Sequence, residues 1–467
     1  MKASLVFVFL LNLGMFAQNK AGLYDYADLP QSLLSNPGTM VTFNGHVGVP
    51  LGSQFYISAG LKGGSLFDIV ANDERTIDEK ISEKLRELTS DDYLAVTQQL
   101  EILNVGWRSR RDPKIYFSAG VYEEFDFIGY FPKDLVILAY EGNEEYINRE
   151  FNFSDFTGST ELLTVFHFGY NKQVDNRLTF GARAKLYSSM FHMRSARNQG
   201  TFTTVESLGG NNLYRHIVSD ANIVIETSGY GDLREINDGE ASEKAKEYKR
   251  TLLRKGFLGG NLGLGIDLGF SYKMDEQWLI TGSLNDLGLI LYNKDVETYV
   301  ASGDYAFDGF ETPIQFTGNG PQDFLNDLKE SLSIDTLSTS YTTMRSLKIN
   351  GSIKHLFNRF DSGSCKCYVK EGIPRYTDAV GFQLFSQFRP KRPVLAGSFY
   401  YYKRWFDFLR TKINYTIDEF SYYNVGLLIS THVNPLNMYI AADNLFSYSN
   451  LAKARGASLQ FGINIIF

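Results

Sequence analysis

Six histidines and two cysteines have the most chemistry to offer in this 467-residue chain, and their spacing offers little. His46, His167, His192, His216, His355 and His432 fall in different strands and loops, with no HxxxH or similar ligand spacing. Cys365 and Cys367 form a CKC whose nearest histidine in sequence is His355. A disulfide framework needs more cysteines at wider spacing, and a metal site needs further ligands nearby, so the pair reads as incidental to a loop. The glycines at 263, 265 and 269 in GLGIDLG lack dinucleotide-fingerprint spacing, and the strand continues where a helix would have to begin. No P-loop and no G-x-S-x-G elbow occurs. A lipid hydrolase built on a barrel wall would need a Ser–His pair facing outward, whereas His167 falls on the inward side by alternation. The expectation is therefore no enzyme, no cofactor and no metal. What remains is a set of charged side chains, Lys62, Arg177, Arg183, Lys185, Asp267, Lys273 and Asp443, expected to line a lumen. They would pair with one another or with a segment inside the barrel, or else select a solute.

The elements that position these charges are strands with two unlike faces. In NLGLGIDLGFSYKM one face carries Leu262, Leu264, Ile266, Leu268, Phe270 and Tyr272, and the other Gly263, Gly265, Asp267, Gly269, Ser271 and Lys273. RLTFGARAKLY sets Leu178, Phe180, Ala182, Ala184 and Leu186 against Arg177, Thr179, Gly181, Arg183 and Lys185. QFYISAGLK and KIYFSAGVY repeat the pattern. A soluble sandwich alternates too. These segments, however, run to about ten residues, the length of a tilted strand crossing a bilayer, against about five or six for soluble strands. An apolar face suits lipid, and a face of glycine and charge suits a wet lumen. The closing ASLQFGINIIF sets Phe461, Ile463, Ile465 and Phe467 on one face and ends on the aromatic, resembling the signal read by bacterial barrel-assembly machinery.

Composition agrees with a secreted all-β chain. Aromatics make up 15% and charged residues 21%, with 42 glycines against 11 prolines. A mean hydropathy of −0.20 is too polar for a helical membrane protein. A net charge of −7 with no Lys/Arg cluster argues against a nucleic-acid partner. Lys2 and the apolar run after it, ending in Ala17 before Gln18, read as a signal peptide over 1–17. The run is shorter than the roughly 20 residues a spanning helix needs.

Counted back from Phe467, strands are expected near 456–467, 436–445, 420–431, 406–417, 393–402, 376–388, 343–357, 277–291, 259–274, 177–190, 161–174, 114–127, 98–109 and 54–63. That is a transmembrane antiparallel β-barrel of about 14 strands over 51–467, an even count as bacterial single-chain barrels require. Short connections (SRRDPK, VDNR, MDEQ, HVNPLN) alternate with long ones at 64–97, 128–160, 191–258 and 292–342. Short turns would be periplasmic and long loops extracellular; the stretch near 358–375, with CKC, is long yet falls on the periplasmic side. Amphipathic helices are expected at 76–88, 240–255 and 321–332, in the long loops. Residues 18–50 are left over as an N-terminal plug segment, although MVTFNGHVGV (40–49) also reads as one more strand.

GIDLGFSYKMDEQWLITGSLNDLGLI, NVGLLISTHVNPLNMYIAADNLF, the closing strand and SNPG followed by GHVGVPLG together resemble an uncharacterised Bacteroidetes outer-membrane β-barrel family, a domain of unknown function. That family is similar to FadL-type fatty-acid transporters and to the PorV and PorP-like barrels of type IX secretion. The resemblance spans almost the whole mature chain. It implies an N-terminal hatch with Asn36, Pro37 and Gly38 where such hatches carry an Asn-Pro motif, and a plugged channel for small hydrophobic ligands in the outer membrane. The alternative is a non-transporting accessory of secretion or gliding machinery, with a secretion-system protein as partner. Outer-membrane lipids surround the barrel in either case.

Overall fold

Alternation along the strands decides which face each residue shows, and pairing between strands decides what encloses the inward face. The computed structural model describes residues 21–65, 67–206, 214–234, 241–307, 334–359 and 376–467. In chain order its strands are β1 (Gly45–Gly48), β2 (Phe55–Leu61), β3 (Tyr93–Arg108), β4 (Ile115–Tyr130), β5 (Glu150–Asn152), β6 (Gly158–Gln173) and β7 (Leu178–Glu206). There follow β8 (Tyr214–Ser228), β9 (Asn261–Lys273), β10 (Trp278–Tyr292), β11 (Val296–Phe307), β12 (Ile334–Leu337), β13 (Tyr341–Met344) and β14 (Lys348–Arg359). The last are β15 (Tyr376–Phe388), β16 (Pro393–Arg404), β17 (Leu409–Ile417), β18 (Asn424–Val433), β19 (Leu436–Asp443) and β20 (Gly456–Ile466).

These pair into a closed 14-strand antiparallel barrel. Around the wall, β3 meets β4, β4 meets β6, β6 meets β7, β7 meets β9 and β9 meets β10. β13 and β14 share one wall position against β10, and β15 to β20 follow in order. β1 and β2 together form the remaining wall strand, pairing with β20 on one side and β3 on the other, which closes the ring. Closure leaves the wall without an open edge, the condition for a strand structure to sit in hydrocarbon.

The outward face is apolar. Leu264 is 68% exposed, Phe399 60% and Ile413 49%, values that would be costly over a whole surface in water. Trp107, Trp278 and Trp405 all lie at the end that holds Phe467 and the short turns, where an interfacial aromatic girdle is expected.

Three expectations change. Residues 45–48, assigned above to the plug segment, belong to the wall: His46 pairs with Ile466 and with Gly106. The stretches 191–258 and 292–342 are not simple loops. β7 runs on for 29 residues and pairs beyond the wall with β8, which pairs with β11, which pairs with β12. This extension has its own core of Ile137, Phe151, Phe153, Phe202 and Val218. It faces no lipid, so no apolar stripe marks it in the sequence. β18, the third strand from the C-terminus, starts at Asn424 rather than 420, because Asp418 accepts from the N–H groups of Phe420 and Ser421 and folds those residues into a turn.

Helices occur at Ile77–Glu87 and Ala241–Arg254, as expected. The first is closed by a capping box between Thr76 and Glu79. The third expected helix and Cys365 and Cys367 lie outside the described residues.

The outward face yields a direct test. Ile413→Arg, near the middle of β17, should destabilise the barrel in lipid vesicles by about 2–4 kcal/mol, measured by urea unfolding. A near-neutral result would mean the face meets water.

Candidate functional site

The barrel interior is occupied from the N-terminal side. Residues 21–43 run inside it, and Leu23, Tyr26, Leu29 and Gln31 are wholly buried. Most of this segment lacks regular structure, so its backbone groups need partners from the wall. The wall supplies them. Lys412 Nζ donates to the carbonyls of Ala21 and Tyr24 at 2.7 and 2.6 Å, lying 4.1 Å from the Tyr400 ring. Arg183 donates to Leu33 O, and Ser283 and Asn285 both reach Ser35 O at 2.8 Å. Asn171 donates to the carbonyls of Pro37 and Thr39, and Arg108 to those of Val41 and Phe43.

Side chains of the segment are fastened as well. Asp25 accepts from Thr281, Ser352 and Tyr400. Asp28 meets Tyr402 at 2.7 Å, Arg410 at 3.4 Å and Arg404 at 3.7 Å. Burial alone would raise the Asp28 carboxyl; the two guanidiniums outweigh it and hold the group below its usual range. Gln31 donates to Ser53 O, Glu101 and Asn464.

Asn36-Pro37-Gly38 lies flat on the wall. A Cβ at Gly181 would sit 1.9 Å from Pro37 O, and one at Gly269 would sit 2.1 Å from Asn36 Oδ1. Gly181 and Gly269 are direct cross-strand partners, so two bare backbones form the landing. Asn36 Nδ2 donates to Phe270 O at 3.2 Å while its Oδ1 accepts from Gly38 N at 2.8 Å.

Beside this segment a belt of alternating charges crosses the lumen. Asp267 takes Arg183 at 3.4 Å and Lys185 at 2.9 Å. Lys185 also meets Asp286 at 2.6 Å, Asp286 meets Lys348 at 2.9 Å, and Lys348 approaches Glu124 at 3.8 Å. Arg345 then joins Glu124 at 2.7 Å and Glu161. Four cations and four carboxylates thus tie β7, β9, β10 and β14 to β4 and β6. A second strut, Arg389 to Asp126, braces β4 from the turn after β15.

A bulge builds the belt. In β10 the register against β9 shifts between Leu284 and Leu287, with Asp286 at φ +64°. Asn285 and Asp286 are therefore both buried, where strict alternation would put the second outside. Asp286 N–H donates to Asp267 Oδ1 at 2.7 Å, fixing the bulge to the belt.

Between the segment and the belt lies a cavity with about 1030 Å³ of empty space, part of it open to solvent. Leu34 and Ser35 line it from the segment; Lys185, Asp286, Lys348 and Glu124 line it from the belt. Tyr56, Tyr93, Tyr122, Phe385 and Phe420 bring aromatic rings to the lining, and Gln99, Asn285, Asn350 and Gln387 add amides. On the outside of the same wall is a wide, shallow hollow, largely open to its surroundings, lined by apolar side chains such as Leu103, Phe166 and Leu186, with Gly120, His167 and Lys185. Lys185 lines both spaces. His167 is 7% exposed, and neither ring nitrogen has a hydrogen-bond partner among the described residues. Gly120 has no room for a side chain, since its Cβ would sit 2.5 Å from Leu103 O.

Of the charged residues singled out in the sequence, Arg183, Lys185 and Asp267 come together in the belt. Asp443 lies apart, bonded to Asn414 and Ser458. Lys62 bonds to Asp91 O and approaches Asp92 near the loop end. Arg177 sits in the exposed turn before β7, and Lys273 closes β9 at the turn end, half-buried. Phe461, Ile463, Ile465 and Phe467 lie on the last strand and its end, paired with β19 and the first wall strand. The reading missed Asp286, Lys348, Arg345, Glu124 and Glu161. A signal existed for Asp286: an acid on an otherwise apolar face implies a bulge.

Residues 37–443 match a family model described as a family of unknown function (DUF5723). No curated protein matches the chain. Among solved structures, the toluene transporter TbuX of Ralstonia pickettii is similar at 11% identity and a TM-score of 0.42, over 97% of each chain. The toluene transporter TodX of Pseudomonas putida is similar at 11% identity and a TM-score of 0.39, over 97% of this chain and 95% of that one. A FadL homologue of Pseudomonas aeruginosa shows 9% identity and a TM-score of 0.42, over 97% and 99%.

Two outcomes test this geometry. Gly181→Val should push Pro37 off the wall and turn a quiet barrel into a conducting one in planar bilayers; unchanged conductance would mean the landing is not needed. Lys185→Met should cost about 3–5 kcal/mol in urea unfolding, because two buried carboxylates lose a shared cation.

Proposed function

We propose that this chain, which belongs to the DUF5723 family of unknown function, is an outer-membrane barrel that admits small, largely apolar ligands through a lumen plugged by its own N-terminal segment. The observation that carries this reading is the pair of spaces that share Lys185 in their linings: an internal cavity lined in part by aromatic rings and an outward apolar hollow. Lys185 lines both spaces, and Gly120, which has no side chain, and His167, whose ring nitrogens have no hydrogen-bond partner among the described residues, line the outer one; this is where an apolar solute would leave for the bilayer. The leader-like N-terminus, the apolar outer face and the terminal phenylalanine strand support an outer-membrane setting in a Gram-negative cell.

A second reading, a non-transporting accessory of a secretion or gliding system, has its own support. The belt and the Arg389–Asp126 strut brace the lumen shut, and the folded extension beyond the wall offers a docking body.

Uptake separates the two. Cells with the wild-type barrel should take up radiolabelled ethylbenzene several-fold faster than cells lacking it. Ala184→Trp, which fills the outer hollow from the lipid side, should lower the rate to that of the deletion. Equal uptake in all three strains would remove the channel reading, and a protein recovered with the barrel from native membranes would then favour the accessory role.

A further inference from the structure

We propose that the internal cavity selects a neutral ligand carrying a hydrogen-bond donor, an aromatic alcohol of the phenol type, and rejects carboxylates; this rests on the channel reading above. The charges on the lining are already satisfied. Lys185 is held by Asp267 and Asp286, Lys348 by Asp286, and Arg389 by Asp126. The lining carboxylates are satisfied in turn, Glu124 by Arg345 and Asp286 by two lysines. An anionic ligand would gain a cation only by stripping it from a buried carboxylate, which leaves one charge unpaired wherever it binds. A cationic ligand faces the same exchange with the sign reversed.

Among the described residues, one buried polar atom of the lining has no partner. Asn285 is 5% exposed, and its Nδ2 donates to Ser35 O at 2.8 Å and to Ser283 Oγ at 3.3 Å. Both amide protons are thereby used, and the Oδ1 has no partner among the described residues. A buried acceptor without a donor is unfavourable, and a ligand O–H supplies what is missing. The neighbouring amide at Asn350 is not open in this way, because its Oδ1 accepts from Gln383 at 3.1 Å. Tyr93, Phe385 and Phe420 line the same space and pack in one cluster, whose rings suit an aromatic body. One buried acceptor and one aromatic cluster on the same cavity read as a site for a ring with a hydroxyl.

Three probes share one body and differ in the head: ethylbenzene, 4-ethylphenol and 4-ethylbenzoate. Titrated calorimetrically into the full-length barrel in detergent at about pH 7, where the phenol is neutral and the benzoate ionised, against protein-free micelles, 4-ethylphenol should bind about three- to tenfold tighter than ethylbenzene. 4-Ethylbenzoate should bind at least about tenfold weaker than ethylbenzene. Asn285→Leu should bring the phenol-to-hydrocarbon ratio close to one while ethylbenzene still binds; the wild-type series decides the matter if that variant does not fold. Benzoate binding as tight as phenol, or equal binding of phenol and hydrocarbon, would overturn the ligand class and leave the channel reading standing. Binding of none of the three would remove the channel reading beneath it.

Discussion

An irregular chain segment enclosed in a barrel has backbone carbonyls and amides that must be satisfied by what surrounds it, and the rest of this structure follows from that requirement. Residues 21–43 form little helix and no ladder until the wall begins at Gly45. Their carbonyls are met one after another by cationic, hydroxyl or amide side chains that point inward: Lys412, Arg183, Ser283, Asn285, Asn171 and Arg108. These donors come from strands around much of the ring. The polar inner face of the wall is therefore largely a mould for one segment, and less a water-filled lining than alternation alone would imply.

The belt answers a second demand of the same enclosure. Charges that face an occupied lumen cannot rely on bulk water, so those of the belt find opposite charges within the barrel. Here they do so by sharing. Lys185 serves two aspartates, Asp286 serves two lysines, and Arg345 serves two glutamates. The chain of pairs runs across the interior and not only between neighbouring strands, which keeps the wall braced beside the cavity. The belt's charges are fully committed, and the cavity beside it presents rings and amides.

Much of this architecture is legible in the sequence, for a physical reason. Residues on the wall have only two environments, so period two survives along nearly every wall strand, and fourteen strands were expected where fourteen are found. Legibility ends where one of the two environments disappears. Beyond Phe191, β7 leaves the lipid and its residues RSARNQGTFTTVE carry no apolar stripe, so a paired strand looked like loop. It ends again where a bulge inserts a residue, as at Asp286, because every residue after it changes sides. At Gly45–Gly48 the wall strand is short and the chain turns inward through Ser53, so wall and inner segment cannot be told apart by pattern. Belt partners were beyond reach for another reason. Arg345 and Glu124 lie 221 residues apart, and no local rule links them.

The repeated tripeptide Asp-Leu-Gly shows how one short pattern can serve three environments together. In Asp267-Leu268-Gly269 the acid faces inward and holds two cations, the leucine turns to the outer face, and the glycine leaves room for Asn36. In Asp286-Leu287-Gly288 the acid again faces inward, Leu287 is 39% exposed, and a Cβ at Gly288 would sit 2.9 Å from the Tyr187 ring. The two copies lie on adjacent strands of one hairpin, yet Leu268 pairs with Leu284 and not with Leu287. The hairpin's register at its turn sets that offset, and the bulge beyond Leu284 turns Asp286 inward, so both aspartates reach Lys185 from different levels. Without the extra residue, Asp286 would face hydrocarbon and Lys185 would lose a partner. The pattern therefore makes physical sense only in a chain that presents acid to a belt, leucine to lipid and bare backbone to something pressed against it from inside.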